Sequence, residues 1–485
     1  MTTDKKAAPA GAQSKENKMG TMPVGKLLVT MSVPMIMSML VQALYNVVDS
    51  IFVAKVSQDA LDAVGAAFPV QNILIGVGTG TAVGVNALLS RSLGQKNFDR
   101  ANNIAKNGVF LALVSYLIFV LFGFFGAEAY MNSCDVNGNV KQLGVDYLKI
   151  VCFFSFGVYF QITFERLLQA TGRTIYTMFT QGIGAVINII LDPIFIFSGG
   201  DSIFGFEMPF GLGLGVAGAA YATVIGQIVA ALLAVTFNLL RNKDIKLSFR
   251  GFRPDIRLIG GIYAIGVPSV IMVGIGSVMT YFMQSILNGF EDKMGYTVYN
   301  VYFKLQSFFF MPMFGMNNGL IPIMAYNYGA GNRKRMMATM RLAMIGGFCF
   351  LVIGCLVMRF AAHGLLGIFE PKGCNLDSFY TVGEKALATI SLSLPIASIC
   401  IVIGSVFQAL GKGVNSMMVS AARQLLVLIP AAYLLAQTGR VSAVWWSFPI
   451  AELMSIAVSL LLFVMMYRKM IKPIPDGAPV RGTGR

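Results

Sequence analysis

Residues Ala66–Leu89 read AAFPVQNILIGVGTGTAVGVNALL and contain no ionisable side chain. An α-helix needs about 20 mostly apolar residues to cross the hydrocarbon core of a bilayer, so this run predicts a transmembrane helix. Similar runs recur along the chain between short polar loops. The twelve predicted spans, helix 1 to helix 12, are Lys26–Val53, Ala66–Leu89, Ile104–Phe125, Val145–Gln169, Thr174–Phe197, Leu212–Leu240, Ile259–Leu287, Thr297–Tyr326, Leu342–Phe360, Tyr380–Gln408, Val414–Ala436 and Ala443–Tyr467.

The composition fits a chain that lies mostly within a membrane. Of its 485 residues, 56% are hydrophobic and 12% are charged, and the mean hydropathy is +0.70. Soluble domains carry about 25% charged residues, so most of this surface must face lipid rather than water. The net charge of +15 comes from basic residues spread between the apolar runs. Because they form no single patch, they argue against a nucleic-acid partner.

No pattern in the sequence points to an enzyme. The chain has one histidine, six cysteines without metal-ligand spacing, and no GxxxxGK[ST] phosphate-binding loop. We therefore expect no cofactor, no bound metal and no direct use of ATP. Cys134 and Cys374 fall in loops on the same predicted face, so a disulfide between them stays open, although free thiols are the simpler expectation.

Basic residues collect in alternate loops, as they do on the cytoplasmic side of membrane proteins. Acidic residues gather in the other loops. Both termini are therefore expected in the cytoplasm of a multi-pass cell-membrane protein, which requires an even number of helices. The basic set is Arg91, Lys96, Arg100, Lys106, Arg241, Lys243, Lys246, Arg250, Arg253, Arg257, Arg333, Lys334 and Arg335, and the acidic set is Asp59, Asp62, Glu128, Asp135, Asp201, Glu207, Glu291 and Asp292.

The second half of the chain repeats the first at an offset of 235 residues. Gly84 falls on Gly319, and Gly94 falls on Gly329. Six helices per repeat give both halves the same orientation, so the axis that relates them runs along the membrane normal. The other matches are Gln71 with Gln306, Gly80 with Gly315, Asn97 with Asn332, Arg100 with Arg335, Val33–Pro34 with Val267–Pro268, and QATG at residues 169–172 with QALG at residues 408–411.

The expected fold is an all-α polytopic membrane protein of twelve transmembrane helices in two six-helix lobes. Two such lobes form a cleft, and rocking them exposes the cleft to one side of the membrane at a time, which is typical of a transporter. Fold alone does not establish function. The predicted divisions are a cytoplasmic tail over residues 1–23, a first lobe over 24–241, a cytoplasmic linker over 242–258, a second lobe over 259–468 and a cytoplasmic tail over 469–485.

Two aspartates stand out among the charges inside predicted spans, where an ionisable group is costly and is therefore a candidate for function. Asp49 lies about one turn from the outer end of helix 1, and Asp192 lies at a similar depth in helix 5. Asn188 is one turn from Asp192 on the same helix face, and Thr223 in helix 6 reaches a comparable depth. These residues predict a small oxygen-rich pocket in the first lobe.

Burial indicates what such a pocket does. A carboxyl in a low dielectric holds its proton more tightly, and a second carboxyl nearby strengthens that effect, so the pair can take up a proton and release it when the lobe rearranges. The same oxygens, from Asp49, Asn188, Asp192 and Thr223, suit Na⁺. Pro34 predicts a kink through which protonation bends helix 1. The alternative is that Asp49 and Asp192 reach interfacial water and only cap or anchor their helices.

Other charges within the spans are weaker candidates. Arg423 in helix 11 and Glu452 in helix 12 predict an ion pair that stabilises the second lobe. Lys304 in helix 8 either snorkels to the outer face or lies in the cleft. Glu165 and Arg166 sit at the inner end of helix 4, where snorkelling accounts for them.

Several short motifs carry a family resemblance over roughly Val24 to Arg468. They are Pro34, QALYNVVD at residues 42–49, AFP at 67–69, QATGR at 169–173, NIILDP at 188–193 and GAGN at 329–332. On these residues the chain resembles the multidrug and toxic compound extrusion (MATE) family, in particular its bacterial MepA-like and DinF-like members.

The resemblance implies a secondary active multidrug efflux antiporter in a bacterial cell membrane. Such a protein exports bulky, often cationic amphipathic drugs in exchange for H⁺ or Na⁺ and contributes to antibiotic resistance. The NorM-like branch of the family also has acidic residues in helices 7 and 10, but helix 7 has none here and helix 10 has only Glu384 near its outer start, so a second-lobe cation site is not expected. In related members the first-lobe site involves positions that match Tyr45, Asp49, Asn188, Asp192 and Thr223, with the Ala219 carbonyl nearby.

Two other functions fit part of the pattern. A flippase or exporter for a lipid-linked oligosaccharide or another endogenous amphiphile shares the broader fold, but it needs a strongly basic cleft. Lys304 and Arg423 are the only obvious cleft cations. A receptor or scaffold needs a soluble domain or signalling motif, which the sequence lacks. We expect amphipathic drugs and bilayer lipids as partners and a monomeric protein, while the substrates and the choice between H⁺ and Na⁺ stay open.

Overall fold

The computed structural model describes residues 17–134, 136–203, 206–207, 209–369 and 375–475. Helices dominate this part of the chain, and the strands Ser202–Ile203 and Phe206–Glu207 pair antiparallel in one loop. Eleven helical segments in the described residues are long and apolar enough to cross a membrane. The bent pair Gly138–Phe153 and Phe156–Ala170 makes a twelfth. The prediction of an all-α polytopic fold is therefore confirmed.

The spans are numbered α1 to α12 in chain order, and several consist of two or three consecutive pieces. In the first half they are α1 Val24–Val56, α2 Gln58–Gly94, α3 Phe98–Phe125, α4 Gly138–Phe153 with Phe156–Ala170, α5 Thr174–Ile196 and α6 Gly215–Arg241. In the second half they are α7 Ile256–Asn288, α8 Met294–Gly329, α9 Arg333–Phe360, α10 Leu376–Ile390 with Leu394–Ala409, α11 Gly413–Ala421 with Ile429–Ala436, and α12 Ser447–Met466. Short helices outside the spans are Lys18–Thr21, Ala127–Ser133, Ala362–Gly367 and Val441–Val444.

Most spans are longer than predicted, because the helices continue past the apolar runs. α2 begins at Gln58 rather than at Ala66, and the Ser57 side chain caps it by accepting a hydrogen bond from the Ala60 amide. Hydropathy marks the part of a helix that crosses lipid. The starts of α2, α3 and α9 are instead set by side-chain caps in the loops.

α4, which covers the predicted span Val145–Gln169, consists of two helical pieces. It bends by 45° at a short break just before Phe156. At the break the Ser155 hydroxyl donates a hydrogen bond to the Cys152 carbonyl at 2.8 Å, which competes with the helical ladder. The predicted span is present, but apolar composition does not reveal the break within it.

The repeat is visible in the loops that follow α2 and α8. Asn97 caps α3, and Asn332 caps α9, each by accepting a hydrogen bond from the amide three residues later. The residue before each cap has a left-handed backbone, with φ of +57° at Lys96 and +68° at Gly331. The two loops therefore fold in the same way at the same repeat position.

The two halves meet where α1 packs along α8 and α2 packs along α7 and α8. A Cβ added at Gly94 would lie 2.0 Å from the Tyr326 carbonyl oxygen, and one added at Gly329 would lie 2.1 Å from the Arg91 carbonyl oxygen, so only glycine allows these backbones to meet. Each contact is the other one shifted by the repeat offset, as a two-fold axis along the bundle requires. We call this end of the bundle, where α1 begins, the terminal face.

Candidate functional site

The predicted polar pocket lies where α1, α5 and α6 pack together. Asp192 on α5 is 0% exposed, and Asn188 and Thr223 are also buried. The Asn188 Nδ2 group donates hydrogen bonds to Asp192 Oδ1 and to the Thr223 hydroxyl, each at 3.3 Å. The amide thus joins the carboxyl on α5 to the hydroxyl on α6.

α1 brings the second carboxyl to the same pocket. Asp49 is half-buried, and its charge interacts with that of Asp192. Tyr45, one turn earlier on α1, also half-buried, lies within electrostatic range of both carboxyls. The structure therefore brings Asp49, Asp192 and the phenol of Tyr45 into one cluster.

Three oxygens in this cluster are buried without a hydrogen-bond partner among the described residues. They are Asp49 Oδ1, Asn188 Oδ1 and Asp192 Oδ2. The free energy of leaving a buried acceptor unpaired is about 1–3 kcal/mol, and more for a charged group. A proton or a small hard cation would give these oxygens the partner that the protein does not supply.

A buried tyrosine next to the pocket was not singled out from the sequence. Tyr147 on α4 is 3% exposed and lies within electrostatic range of Asp49, Tyr45 and Asp192. Its hydroxyl donates a hydrogen bond to Gln71 Oε1 on α2 at 3.4 Å. The signal available in advance was Gln71 itself, a polar residue within an apolar span that also matches Gln306 in the repeat.

Ala219 lies beside the pocket, whereas Pro34 lies at a distance from it along α1. Ala219 on α6 lies one turn before Thr223 and is buried beside it. Pro34 is buried within α1, far along the helix from Asp49, and its carbonyl accepts a hydrogen bond from the Ser38 hydroxyl at 2.9 Å. Proline interrupts the helical hydrogen bonds of the preceding turn, so α1 has a weak point between the terminal face and the pocket.

In the second lobe, Arg423 and Glu452 form an ion pair. Arg423 Nη1 lies 2.6 Å from Glu452 Oε1, and Glu452 is 6% exposed. Arg423 belongs to a π-helical turn, Ala422–Leu428, that interrupts α11. Such turns widen a helix locally and are frequent at functional positions. The carboxylate here has a permanent cationic partner.

Lys304 on α8 lies apart from that pair. Its side chain is exposed, and its ammonium group lies 5.8 Å from the centroid of the Phe369 ring. This contact is a cation–π interaction near the end of the bundle opposite the terminal face.

The prediction that Glu165 and Arg166 snorkel to the surface was wrong. Both are buried, and Glu165 accepts hydrogen bonds from Thr180 at 2.7 Å and from Gln181 at 2.9 Å on α5. Arg166 donates across the seam to Asn318 Oδ1 on α8 at 2.8 Å. These hydrogen bonds hold the two charges inside the protein. The position of a residue along a helix does not reveal which side of the helix faces the interior.

Two sequence expectations concern residues outside the described part of the chain. Cys374 and Asp135 both lie there. Cys134 is a free cysteine.

Comparison with known proteins gives one consistent family. The model of the MatE family matches this chain twice, over residues 34–194 and 268–434. "Multidrug export protein MepA" of Staphylococcus aureus (strain N315) is 25% identical over 453 residues, which are 92% of this chain and 95% of that protein. The MepA protein of Staphylococcus haemolyticus (strain JCSC1435) is 25% identical over 443 residues, 91% of this chain and 93% of that protein.

Solved structures show the same fold. An outward-facing conformation of a multidrug resistance MATE family transporter of the MOP superfamily superposes with a TM-score of 0.87 at 23% identity, over 95% of this chain and 99% of that one. A crystal structure of MATE in complex with MaL6 gives 0.87 at 23% identity, over 95% and 100% of the two chains. The two family matches together span most of the chain, one in each repeat. The chain therefore belongs to the MATE family of transporters and is not an enzyme.

Proposed function

We propose that the chain is a secondary active multidrug efflux antiporter that exports amphipathic, often cationic drugs in exchange for H⁺ or Na⁺. The observation that carries this proposal is the set of three buried, unpartnered oxygens on Asp49, Asn188 and Asp192. A proton or Na⁺ bound there balances charge that the surrounding protein leaves uncompensated. The relatives named multidrug export proteins support drugs as the exported class.

The coupling follows from the cost of burying charge. With a cation bound, the two carboxyls of the pocket between α1 and α5 carry one net negative charge instead of two, so burying them costs less free energy. When the cation leaves, two carboxylates face each other in a low dielectric, which favours moving α1 and its Asp49 away from Asp192. The weak point at Pro34 lets α1 move without disturbing its packing at the terminal face. Loading and unloading the cation thereby changes the shape of the lobe that lines the drug cleft.

We assign the terminal face to the cytoplasm of a bacterial cell, because the basic loops that follow α2, α6 and α8 lie there. Both termini are then cytoplasmic.

We further propose a monomer with a first lobe over residues 24–241, a linker over 242–258, a second lobe over 259–468, and tails over 1–23 and 469–485. The glycine contacts at the terminal face close the seam between the lobes on that side. We propose that the cleft opens toward the opposite side in this conformation.

A flippase for a lipid-linked oligosaccharide is less well supported. It requires cationic side chains that are free to bind a pyrophosphate. Arg423 is already paired with Glu452 at 2.6 Å. Of the two candidate cleft cations, Lys304 is the one still available, and its ammonium group lies over the Phe369 ring.

The proposal is tested by drug export from vesicles that contain the purified protein, with a proton gradient and a sodium gradient imposed separately. We expect one of the two gradients to drive export of a cationic dye, and we expect Asp49→Asn and Asp192→Asn to abolish that drive. Asp146→Asn is the matched control, because its carboxyl lies on the surface of α4, where it accepts a hydrogen bond from Gln142. Full gradient-driven export by both pocket variants would overturn the proposal.

A further inference from the structure

A short segment ahead of α1 lies across the seam at the terminal face. Residues Asn17–Met22 contain the helix Lys18–Thr21, and Met19 within it is 0% exposed. The segment packs against α8 rather than pointing into solvent. The buried side chain of Met19 thus holds this polar N-terminal stretch at the seam between the two lobes.

The segment is attached to the first lobe by the turn between α4 and α5. The Asn17 Nδ2 group donates a hydrogen bond to the Thr171 carbonyl at 3.1 Å. A Cβ added at Gly172, whose φ is +83°, would lie 3.1 Å from Lys18 Cε, so the lysine stem lies against this turn. Burial and the neighbouring Arg173 guanidinium lower the pKa of Lys18 below its usual range.

The same segment is attached to the second lobe by α8 and α9. Arg335 Nη2 donates to the carbonyls of Met19 at 3.1 Å and of Met22 at 2.6 Å. The Asn327 Nδ2 group also donates to the Met19 carbonyl, at 3.2 Å. A cationic donor to a main-chain carbonyl makes a stronger hydrogen bond than a neutral one, so the second lobe holds the segment more firmly than the first does.

This attachment is not part of the internal repeat. Arg335 occupies the repeat position of Arg100, which is exposed. The hydrogen bonds from Arg335 to the Met19 and Met22 carbonyls therefore have no counterpart at Arg100 among the described residues.

We propose that Asn17–Met22 is a strap that holds the lobes together at the terminal face and must undock before the cleft opens there. The inference rests on the proposed function, because only an alternating-access transporter needs that opening. Undocking breaks hydrogen bonds to both lobes, so the strap sets how often the cleft becomes accessible from the terminal side.

The test measures the distance between the lobes in the full chain. Spin labels at Asn103→Cys on α3 and Lys412→Cys after α10 report on the terminal face, with the six native cysteines replaced by alanine. In lipid nanodiscs, pulsed dipolar spectroscopy gives the populations of short and long distances. We expect Asn17→Ala and Arg335→Gln each to raise the long-distance population severalfold. Arg100→Gln is the matched control, and we expect it to leave the populations unchanged.

A variant that is expected to favour docking distinguishes loss of the strap contacts from misfolding. Lys18→Gln removes a charge that docking both buries and brings close to Arg173, so it should favour the docked strap. Introduced into the Asn17→Ala protein, it should restore part of the short-distance population. Unchanged populations in both Asn17→Ala and Arg335→Gln would overturn the strap. The distance measurement does not require transport. Failure of the strap is therefore distinguishable from failure of the proposed function, which would appear as gradient-driven export that persists in Asp49→Asn and Asp192→Asn.

Discussion

The two lobes share one architecture but differ in the groups that surround their buried carboxyls. In the first lobe, Asp192 accepts a hydrogen bond from a neutral amide and interacts with a second carboxyl on α1. In the second lobe, Glu452 pairs with the guanidinium of Arg423 at 2.6 Å. The hydrogen bonds and ion pairs of the described residues bring no Lys or Arg to Asp49 or Asp192.

This difference distinguishes carboxyls that can bind an exchangeable cation from a carboxylate with a fixed cationic partner. A buried carboxylate with a built-in cation has no need of another, and removing its partner leaves an uncompensated charge in the protein interior. Buried carboxyls without such a partner are stabilised only when a mobile cation arrives. This contrast supports the proposal that the first lobe carries the coupling cation and that the charge pair of the second lobe supports the fold.

Breaking the fixed pair should have the largest effect. Arg423→Met leaves Glu452 buried without its partner, which should lower the free energy of unfolding by about 3–5 kcal/mol. Thermal unfolding in detergent, followed by the fluorescence of Trp445 and Trp446, measures the change. The double variant Arg423→Met with Glu452→Leu should recover most of the loss, because it removes both charges.

Arg440→Met is the matched control for that substitution. Arg440 is exposed in the loop before α12, so we expect its replacement to leave the unfolding midpoint unchanged. A single Arg423→Met protein as stable as the parent would show that the second-lobe carboxyl does not need its cation, and the contrast between the lobes would fail.

The next largest effect should come from Asp192→Asn. Unlike Arg423→Met, this substitution should not lower the free energy of unfolding. Gradient-driven dye export should fall by more than about tenfold, a change of about 1.4 kcal/mol or more in coupling free energy. The unfolding midpoint should not fall, because the substitution removes a buried charge that has no cationic partner. Export in vesicles and thermal unfolding of the same preparation measure both quantities. A destabilised Asp192→Asn protein would mean that this carboxyl, like Glu452, is structural.

The sequence was sufficient for the fold because its signals are local and repeated. Each apolar run marks one span, and matches such as Gly94 with Gly329 fix the relation of the halves. In the structure these two glycines make equivalent contacts across the seam. The break in α4 escaped prediction, since a serine hydroxyl competing for one carbonyl leaves no trace in hydropathy.

The candidate site was predictable only as far as depth and helix face allow. Asn188 and Asp192 share a face because they are one turn apart, and counting from the helix ends places Asp49 at a similar level. The rotation of each helix about its own axis depends on tertiary packing. For that reason Tyr147 was missed beside the pocket, and Glu165 was expected at the surface although it is 3% exposed.

A smaller effect should follow from removing one neutral oxygen of the pocket. Thr223→Val deletes the hydroxyl that accepts a hydrogen bond from Asn188, and such a bond contributes about 0.5–1.5 kcal/mol. We expect the half-saturating concentration of the coupling cation to rise about two- to tenfold, with the maximal export rate preserved. Export measured against a series of cation concentrations gives this value. Thr236→Val, on the exposed side of α6, should leave it unchanged.

The smallest effect is expected from Lys304→Gln in the second lobe. The Lys304 ammonium group is exposed and lies over the Phe369 ring, so its loss should remove no more than about 0.5–1 kcal/mol of cation–π interaction. Export of cationic dyes, its dependence on the gradient and the unfolding midpoint should therefore all stay close to those of the parent. The informative measurement is a panel that pairs cationic dyes with anionic lipid analogues. Selective loss of the anionic members would show that this lysine binds substrate, and a second-lobe charge would then take part in transport rather than in support of the fold.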